Sequence, residues 1–574
     1  MNRQKRRWEI LEESKKSRKG SKSINEIVKQ LLRNRGIKTV KQQKEFINPS
    51  LPSKIKLNDV GIKKNEVQKV ISRFKKALKN KEQVIIYGDY DSDGICATAI
   101  LWECLYSFGV DVLPYIPERF SEGYGLNAES VKKLKTKNLP AGRQGENLKL
   151  IITVDNGIVA NKEVDEINKL GIDVIITDHH QKKKKLPKAW AIIHTDKISG
   201  AAIAWLIAKE IRNKFRAKSS KLIFGNGLDL AAIGTIADQI QLLGPNRSFA
   251  KYGLEALNKT ERPGLLALFK EAGLAPRSSS LKNEVGPYEV GFIIAPRINA
   301  TGRLEHGIDS LRLLCVKSRS RAQELAFHLA RINKNRQRIV DEVVMHARSK
   351  LTKDSSNKLI ILAHESYHEG VIGLAASKLV EEFYKPAIVI AKGKEFSKAS
   401  ARSVSGFNMI ENLRKLEDLF NGGGHPMAAG FSLATKDIEI FAKKFQRIAN
   451  PHLTKEILAK KLKIDLELHF STLTEELFER LKLFEPTGLG NPTQTFVTKN
   501  VRIIDARVVG KDGNHLKLKL EESEVALDAI AFNLGNIFSK LSPDKNVDIV
   551  YSLEENIWNG YKNLQLKIKD IKFS

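Results

Sequence analysis

The sequence predicts an α/β chain in three parts: a parallel-sheet domain joined by a long helix to a smaller α/β domain, followed by a small closed β-barrel. Three observations carry this. From Val84 onward, short apolar runs that end in acidic residues or glycine, VIIYGDYDSDG, LIITVDNG and DVIITDHH, alternate with helix-length stretches, the pattern of a parallel sheet with crossover helices. Ser318 to Leu351 contains neither proline nor glycine, and Leu325, Leu329, Ile332, Ile339, Val343 and Ala347 fall on one stripe of a helix of about 30 residues. Beyond Ile464, five strand-like runs within about 110 residues point to an OB-like barrel. Length agrees, since 574 residues suit three or four folded units at roughly 150 residues each.

Taken in order, residues 1–57 are polar and helical, with Ile24, Ile27, Val28, Leu31 and Leu32 at helical spacing, and read as an appended N-terminal segment. The sheet domain covers 58–317, interrupted by LPAGRQGE (Leu139 to Glu146), a Gly-containing polar stretch that reads as a loop. The connecting helix is 318–351. A second α/β pattern, LIILAHES then PAIVIAKG, occupies 352–455. The barrel, 456–574, is built from VRIIDARVV, HLKLKL, VALDAIAF, VDIVYSL and LQLKIKDIKF, the last two joined through Asn559-Gly560.

Composition narrows the function. Hydrophobic residues at 42% and charged residues at 28% exclude a disordered or fibrous chain. Lys plus Arg number 97 against 66 Asp plus Glu, a formal charge of +31, which calls for a polyanionic partner. Nucleic acid is favoured over an anionic membrane, because the basic residues are spread along folded sequence instead of one amphipathic helix. Cys96, Cys104 and Cys315 show no paired spacing, so neither a disulfide framework nor a cysteine zinc site is indicated. With no signal-like apolar core near the start and no run of about 18 apolar residues, a soluble, cytoplasmic protein with no membrane partner is expected.

The strand ends carry the chemistry. Ligands of open α/β sheets collect beyond the carboxyl ends of the strands, and here those ends bear Asp91 and Asp93, then Asp155, then Asp178-His179-His180. Asp238, in AAIGTIADQI, is placed to return to the same edge. Carboxylates brought together resist ionisation unless a cation compensates them. Oxygen donors with a minority of imidazole suit manganese or magnesium. Two ions about 3.5 to 4 Å apart, bridged by one carboxylate, can activate a water for in-line displacement at phosphorus; Asp155 is the bridge candidate. An aspartate after a strand also serves as a helix N-cap. That role stays open for each of these taken singly, whereas three successive acidic strand ends, one with a double histidine, favour ligands.

Basic and glycine-rich motifs accompany these ends. Arg119 in IPERFSEGYGL, and Arg297 and Arg303 in RINATGR, present guanidinium forks that suit phosphate oxygens. Gly422, Gly423 and Gly424 allow backbone amides near an anion, with His425 following as a donor. Lys182 to Lys185 read as a solvated loop that can steer nucleic acid. Lys517, Lys519, Phe532 and Trp558 of the barrel can track a single strand by charge and stacking.

GDYDSDG, VDNG, TDHH and the Asp238 motif, in that order and followed by RINATGR and GGGHPMAAGFSL, resemble the RecJ family of single-stranded-DNA exonucleases in the DHH phosphoesterase superfamily. LFEPTGLGNPTQTF and GKDGNHLKL extend the resemblance over nearly the whole chain from Val84. It implies that the three parts are DHH, DHHA1 and OB domains. It also implies a two-metal site of Mn²⁺ or Mg²⁺ on Asp91, Asp93, Asp155, His179 and Asp238, with Asp89 beside it and His180 on the scissile phosphate. Tyr87 stands where many superfamily members have a histidine ligand, which implies either a more weakly held first ion or compensation by Asp89. Arg119, Arg297, Asn299 and Arg303 are implied to face the cleft. His368, Gly370, Ser377, Ser400, Arg402, Gly422 to Gly424 and His425 are implied to form the substrate-binding side of DHHA1, with Ser400, Arg402 and Arg119 on a 5′-terminal phosphate.

The activity so implied is hydrolysis of single-stranded DNA from the 5′ end to mononucleotides, in repair and recombination, with a helicase or single-strand-binding protein as partner. Two rivals are a DHH phosphodiesterase for short oligonucleotides or cyclic dinucleotides, which needs neither barrel nor +31 charge, and a non-catalytic single-strand-binding scaffold, which has no use for the ligands present.

Overall fold

The computed structural model describes residues 6–11, 23–136, 138–139, 143–144, 147–215, 225–274, 284–351, 357–543, 545–558 and 561–573. The Asn559-Gly560 turn and most of Leu139 to Glu146 lie outside them. Two compact units form: one from Gly61–Ala237 and Ala256–Lys460, the other from Trp8–Val60, Asp238–Glu255 and Lys461–Ser574.

In the first unit, five parallel strands lie in the order Val112–Tyr115, Gln83–Tyr87, Leu148–Val154, Asp173–Asp178, Ala191–His194. Numbered along the chain this is 2-1-3-4-5, so winding reverses between Gln83–Tyr87 and Leu148–Val154, where a ligand crevice opens in such sheets. Gln83–Tyr87 is buried at every residue, as a strand covered on both faces must be. The helix Ser92–Ser107 follows it and is buried over most of its length. The helix Gly200–Phe215 opens Gly-Ala-Ala, and these small residues bring its start against the rim of the sheet. A Cβ on Gly200 would lie 2.6 Å from Asp155 Oδ1.

The connecting helix, Arg319–Leu351, has 33 residues and spans about 50 Å at 1.5 Å per residue. Its predicted stripe is buried at Leu325, Leu329, Ile332, Val343 and Ala347 and partly buried at Ile339. It leads to a second sheet, ordered Phe420–His425, Ala428–Ala434, Phe396–Arg402, Ala387–Ala391, Ile360–His364, in which only the last two strands pair in parallel. The two α/β domains meet backbone to backbone, because a Cβ on Gly370 would lie 2.0 Å from the carbonyl oxygen of Arg303.

In the second unit, the strands Phe496–Val509, His515–Glu522, Val525–Ala531, Tyr561–Phe573 and Asn546–Trp558 pair in that order, and Asn546–Tyr551 returns to pair with Phe496–Arg502 and close the barrel. These are the five strand-like runs of the sequence. The N-terminal residues are not merely appended. Ile27, Leu31 and Leu32 of helix Ile24–Asn34, and Phe46 of helix Val40–Ile47, lie in one apolar core with Leu466, Phe484, Phe496 and Tyr551. An amphipathic stripe requires such a partner. Asp238–Glu255, which the sequence reading placed within 58–317, also belongs here. Its fully buried Arg247 donates to the carbonyls of Phe46, Leu483, Phe484, Glu485 and Pro486 at 2.7 to 3.2 Å.

Candidate active site

The rim of the first sheet gathers its carboxylates through local backbone chemistry. Asp91 is the N-cap of helix Ser92–Ser107, with Oδ1 accepting from the amides of Asp93 and Gly94 at 3.0 Å. Asp91 thus serves as a cap and also carries a donor atom within the acidic cluster of the rim. Asp93 turns inward onto the start of helix Gly200–Phe215, accepting from the amides of Gly200 (2.6 Å) and Ala201 (2.9 Å), where the helix end favours a negative group. Asp155 adopts φ 62°, a left-handed conformation that aspartate tolerates better than most residues, and this turn points its carboxylate along the rim. His179 Nε2 lies 3.0 Å from Asp155 Oδ1 and 3.8 Å from Asp93 Oδ2.

Donor atoms of Asp89, Asp91 and Asp155 lie within 4.8 Å of one another, as do those of Asp155, His179 and His180. Asp155 is common to both groups. Tyr87 takes no part: its side chain is buried beside Tyr115 with its hydroxyl on the Gly125 carbonyl, and Asp89 supplies a donor instead. Asp238 follows directly on Ala237, the last residue of helix Leu228–Ala237, whose Gly234 is so close to Asp93 that a Cβ there would lie 2.3 Å from Oδ1.

Electrostatics call for a cation. Burial and the neighbouring Asp91 push the Asp93 carboxyl up to about 7, and the same two causes raise Asp89 well above the usual range. Burial and His180 hold His179 down to about 4, so its ring is neutral at pH 7 and keeps a lone pair. Buried carboxylates that resist ionisation, beside a neutral imidazole, fit a pair of Mn²⁺ or Mg²⁺ ions. A pH dependence follows. The folded metal-free state holds the Asp93 proton up to about 7, whereas an unfolded aspartate releases it near 3.9. Asp93 alone therefore costs the metal-free fold stability as pH rises from about 4 to about 7, by about 4 kcal/mol at most, with Asp89 acting in the same sense; His179, held down to about 4, returns stability between about 4 and 6.5, so the loss stands uncompensated only above about 6.5. The melting temperature of metal-free protein should fall between pH 6.5 and pH 8, and Mn²⁺ should restore more of it at pH 8. A rise over that interval would contradict the assignment.

Asp178, to which the motif gave no separate role, holds the double histidine in place. It accepts from His180 Nδ1 at 2.8 Å and from the amides of Ile158, His179 and His180 at 2.7 to 3.1 Å. Burial opposes its ionisation, but these bonds prevail and its carboxyl lies below the ordinary range. His180 Nε2 in turn meets the Tyr124 hydroxyl at 3.2 Å.

Tyr124 also lines a cavity of about 510 Å³ between the two α/β domains, with Tyr90, Arg119, Arg303, Gly373, Ser400 and Arg402. Arg402 donates to Ser400 Oγ at 3.1 Å, and Arg119 lies over the Tyr90 ring at 5.1 Å. Burial, with Arg119 and Arg336 nearby, holds the Arg303 guanidinium down to about 10. Neither Arg119 nor Arg402 has a carboxylate partner among the described residues, so this cavity suits an anion. Gly373 leaves room beside this pair, since a Cβ there would crowd Arg402 Nη2 and Ser400 Oγ at 3.1 Å.

Other candidates have different surroundings. Asn299 Oδ1 accepts from the Ser92 amide (2.6 Å) and hydroxyl (2.9 Å), fixing the start of the Asp91–Asp93 helix. Arg297 donates to the Ile293 carbonyl, while its buried Nε has no hydrogen-bond partner among the described residues. His368 Nδ1 accepts from the Gly370 amide and Ser377 Oγ donates to the Gly373 carbonyl. Gly422, Gly423, Gly424 and His425 form an exposed strand paired with Ala428–Phe431, not a loop, and they do not line the cavity; Asn421, Gly430 and Ser432 of that hairpin do. Tyr90, Tyr124, Gly373 and Arg336 escaped the sequence reading. The GYG of SEGYGL and the YDSDG run were the available signals for the two tyrosines; Arg336, inside a long polar helix, offered none.

Acidic groups and neutral imidazole at the switch point of a parallel sheet, facing an arginine-lined cavity of a second α/β domain, define an architecture for metal-assisted hydrolysis at phosphate. Family models agree over residues 83–235 (DHH family, N-terminal domain), 356–450 (DHHA1 domain) and 464–570 (RecJ OB domain). The Bacillus subtilis (strain 168) protein named single-stranded-DNA-specific exonuclease RecJ is 34% identical, over 99% of this chain and 71% of that one. The Escherichia coli (strain K12) protein of the same name is 29% identical over 95% of each. Among solved structures, RecJ in complex with Mn²⁺ from Thermus thermophilus matches with a TM-score of 0.80 at 28% identity, covering 99% of this chain and 80% of that chain. The Mg²⁺ complex from the same organism matches with 0.72 at 26%, over 99% and 78%. The chain belongs to the RecJ family.

Proposed function

We propose that this chain is a divalent-metal-dependent exonuclease that hydrolyses single-stranded DNA from the 5′ end, releasing mononucleotides, in DNA repair and recombination. The observation that carries it is the link between rim and cavity: Tyr124 lines the arginine cavity and hydrogen-bonds His180, so an anion held there lies beside the carboxylates. In this reading Asp89, Asp91, Asp93, Asp155, His179 and Asp238 hold two Mn²⁺ or Mg²⁺ ions, Asp238 entering on its motif and on its place after helix Leu228–Ala237. Such ions, when bound, lower the pKa of a water and neutralise charge on the phosphate. Asp178 fixes the tautomer and orientation of His180 through Nδ1, leaving the Nε2 lone pair to accept from the Tyr124 hydroxyl; donation from Nε2 to the scissile phosphate requires a second proton on the ring, which the Asp178 carboxylate would stabilise. Arg119, Arg402 and Ser400 hold the terminal phosphate, and Arg303 adds charge behind them. Arg297 and Asn299 support this face of the cleft. His368, Ser377 and Gly422 to His425 stay in the proposal on the family motif alone, as does a helicase or single-strand-binding protein as partner.

The test is incubation of a 5′-phosphorylated single-stranded 20-mer, its duplex and a cyclic dinucleotide, with and without Mn²⁺. Mononucleotides from the single strand, only with metal, are expected. Exclusive use of the dinucleotide would replace this reading with a small-substrate phosphodiesterase, and tight binding without cleavage would replace it with a scaffold. Arg402→Ala should reduce the preference for a 5′-phosphate over a 5′-hydroxyl by about 10- to 100-fold, the worth of a charge-assisted hydrogen bond. Unchanged discrimination removes Arg402 from the phosphate.

A further inference from the structure

The connection from His180 at the rim to the next parallel strand, Ala191–His194, is not helical. Residues 181–190, QKKKKLPKAW, form an irregular strap, although crossovers between parallel strands are usually helices. The strap is hooked to helix Asn161–Lys169: Asn161 Nδ2 donates to the Lys185 carbonyl at 3.2 Å and Asn168 Nδ2 to the Lys188 carbonyl at 2.9 Å. With its backbone held in this way, the side chains of Lys182 to Lys185 and Lys188 are exposed.

Each end of the strap opens into a concave surface. At the rim, Lys182 joins His180, His194 and Lys197 around a cavity of about 340 Å³. At the amino end of the sheet, Lys188 and Trp190 join Arg73, Lys76, Lys149 and Asp173 in a groove of about 780 Å³. The two carboxylates of the groove are already engaged, because buried Arg73 donates to Glu82 and to Asp173 at 2.6 Å each. Lys76, Lys149 and Lys188 make no side-chain hydrogen bond or ion pair among the described residues, so the groove is net positive. Trp190, 44% exposed, presents a flat ring beside them. An open aromatic surface flanked by ammonium groups is the chemistry that holds a nucleobase between phosphates.

We infer that the strap and groove bind the part of a single DNA strand lying outside the active site, a nucleic-acid contact separate from the metal rim; the inference rests on the nuclease reading for its ligand. Asp173, in the groove, and Asp178, at the rim, are the two ends of one six-residue strand, which sets the groove about 17 Å from the chemistry. A dinucleotide is too short to touch both.

The experiment measures binding of a fluorescent thymidine 40-mer without divalent metal, and hydrolysis of a 5′-phosphorylated dinucleotide with Mn²⁺. The Lys149→Gln/Lys188→Gln double variant and Trp190→Ala should each bind the 40-mer about tenfold more weakly. The double variant should flatten the log–log salt slope by about 1.4, and dinucleotide hydrolysis should stay within about twofold of the parent. Unchanged affinity and slope overturn the site, as does an equal loss on the dinucleotide. The lysine pair is exposed, so its replacement tests the groove even where Trp190→Ala fails to fold. A parent chain that binds the 40-mer with these losses in the variants but cuts nothing supports the groove and defeats the nuclease reading, which keeps the two failures apart.

Discussion

Replacing Asp155 by asparagine should abolish hydrolysis, by at least about a thousand-fold, while single-strand affinity measured without metal stays within about twofold. The magnitude follows from its position in both donor groups: if it bridges two ions, as proposed, its loss would weaken both at once. Asparagine is the informative choice, because it keeps the shape packed against Gly200 and tolerates the positive φ, whereas alanine would add backbone strain. The same variant separates catalysis from folding. Asp93 and Asp89 already resist ionisation, so removing one negative charge should leave the metal-free melting temperature unchanged or higher. The rise in melting temperature produced by Mn²⁺ should shrink, since that rise is binding energy. Retention of more than a tenth of the activity would exclude Asp155 as the bridge.

The second large effect is structural. Arg247→Ala should lower the stability of the barrel unit by about 4 kcal/mol or more, seen as a fall of about 10 °C in its calorimetric transition with the other unit's transition unmoved. Arg247 holds five carbonyls from two separate chain segments and lies 3.9 Å over the Phe46 ring. Removing it leaves those oxygens buried without donors, at about 1 to 3 kcal/mol each before water enters. Lysine should rescue only part of the loss, because a single ammonium cannot serve carbonyls arranged around a planar fork. A fall of under 2 °C would show that other contacts hold the unit together.

These two residues mark what a sequence can disclose. Asp155 was legible because a parallel-sheet strand announces itself by an apolar run and chemistry collects at its end, so VDNG could be placed without coordinates. The connecting helix and the five barrel strands were legible for the same reason, since periodicity is local. Arg247 was not, because its partners lie some two hundred residues away on either side. The amphipathic helix Ile24–Asn34 was found, but not the core that its apolar stripe enters. The glycine triplet had a second reason that pattern did not disclose: read for backbone amides near an anion, it lies in a paired strand where Gly422 and Gly424 face the neighbouring strand so closely that any Cβ would collide with its backbone. Asp91 shows that a residue can serve as an N-cap and still lie among the carboxylates of the rim.

The contact between Gly370 and the Arg303 carbonyl has its own consequence. It is a seam of main chain against main chain, with no flexible side chain to act as a cushion. Any substituent at position 370, even a methyl group, becomes a shim that pries the two halves of the first unit apart and draws Ser400 and Arg402 away from Tyr90 and Arg119. The spacing of the groups that line the arginine cavity is therefore governed by the absence of one carbon atom.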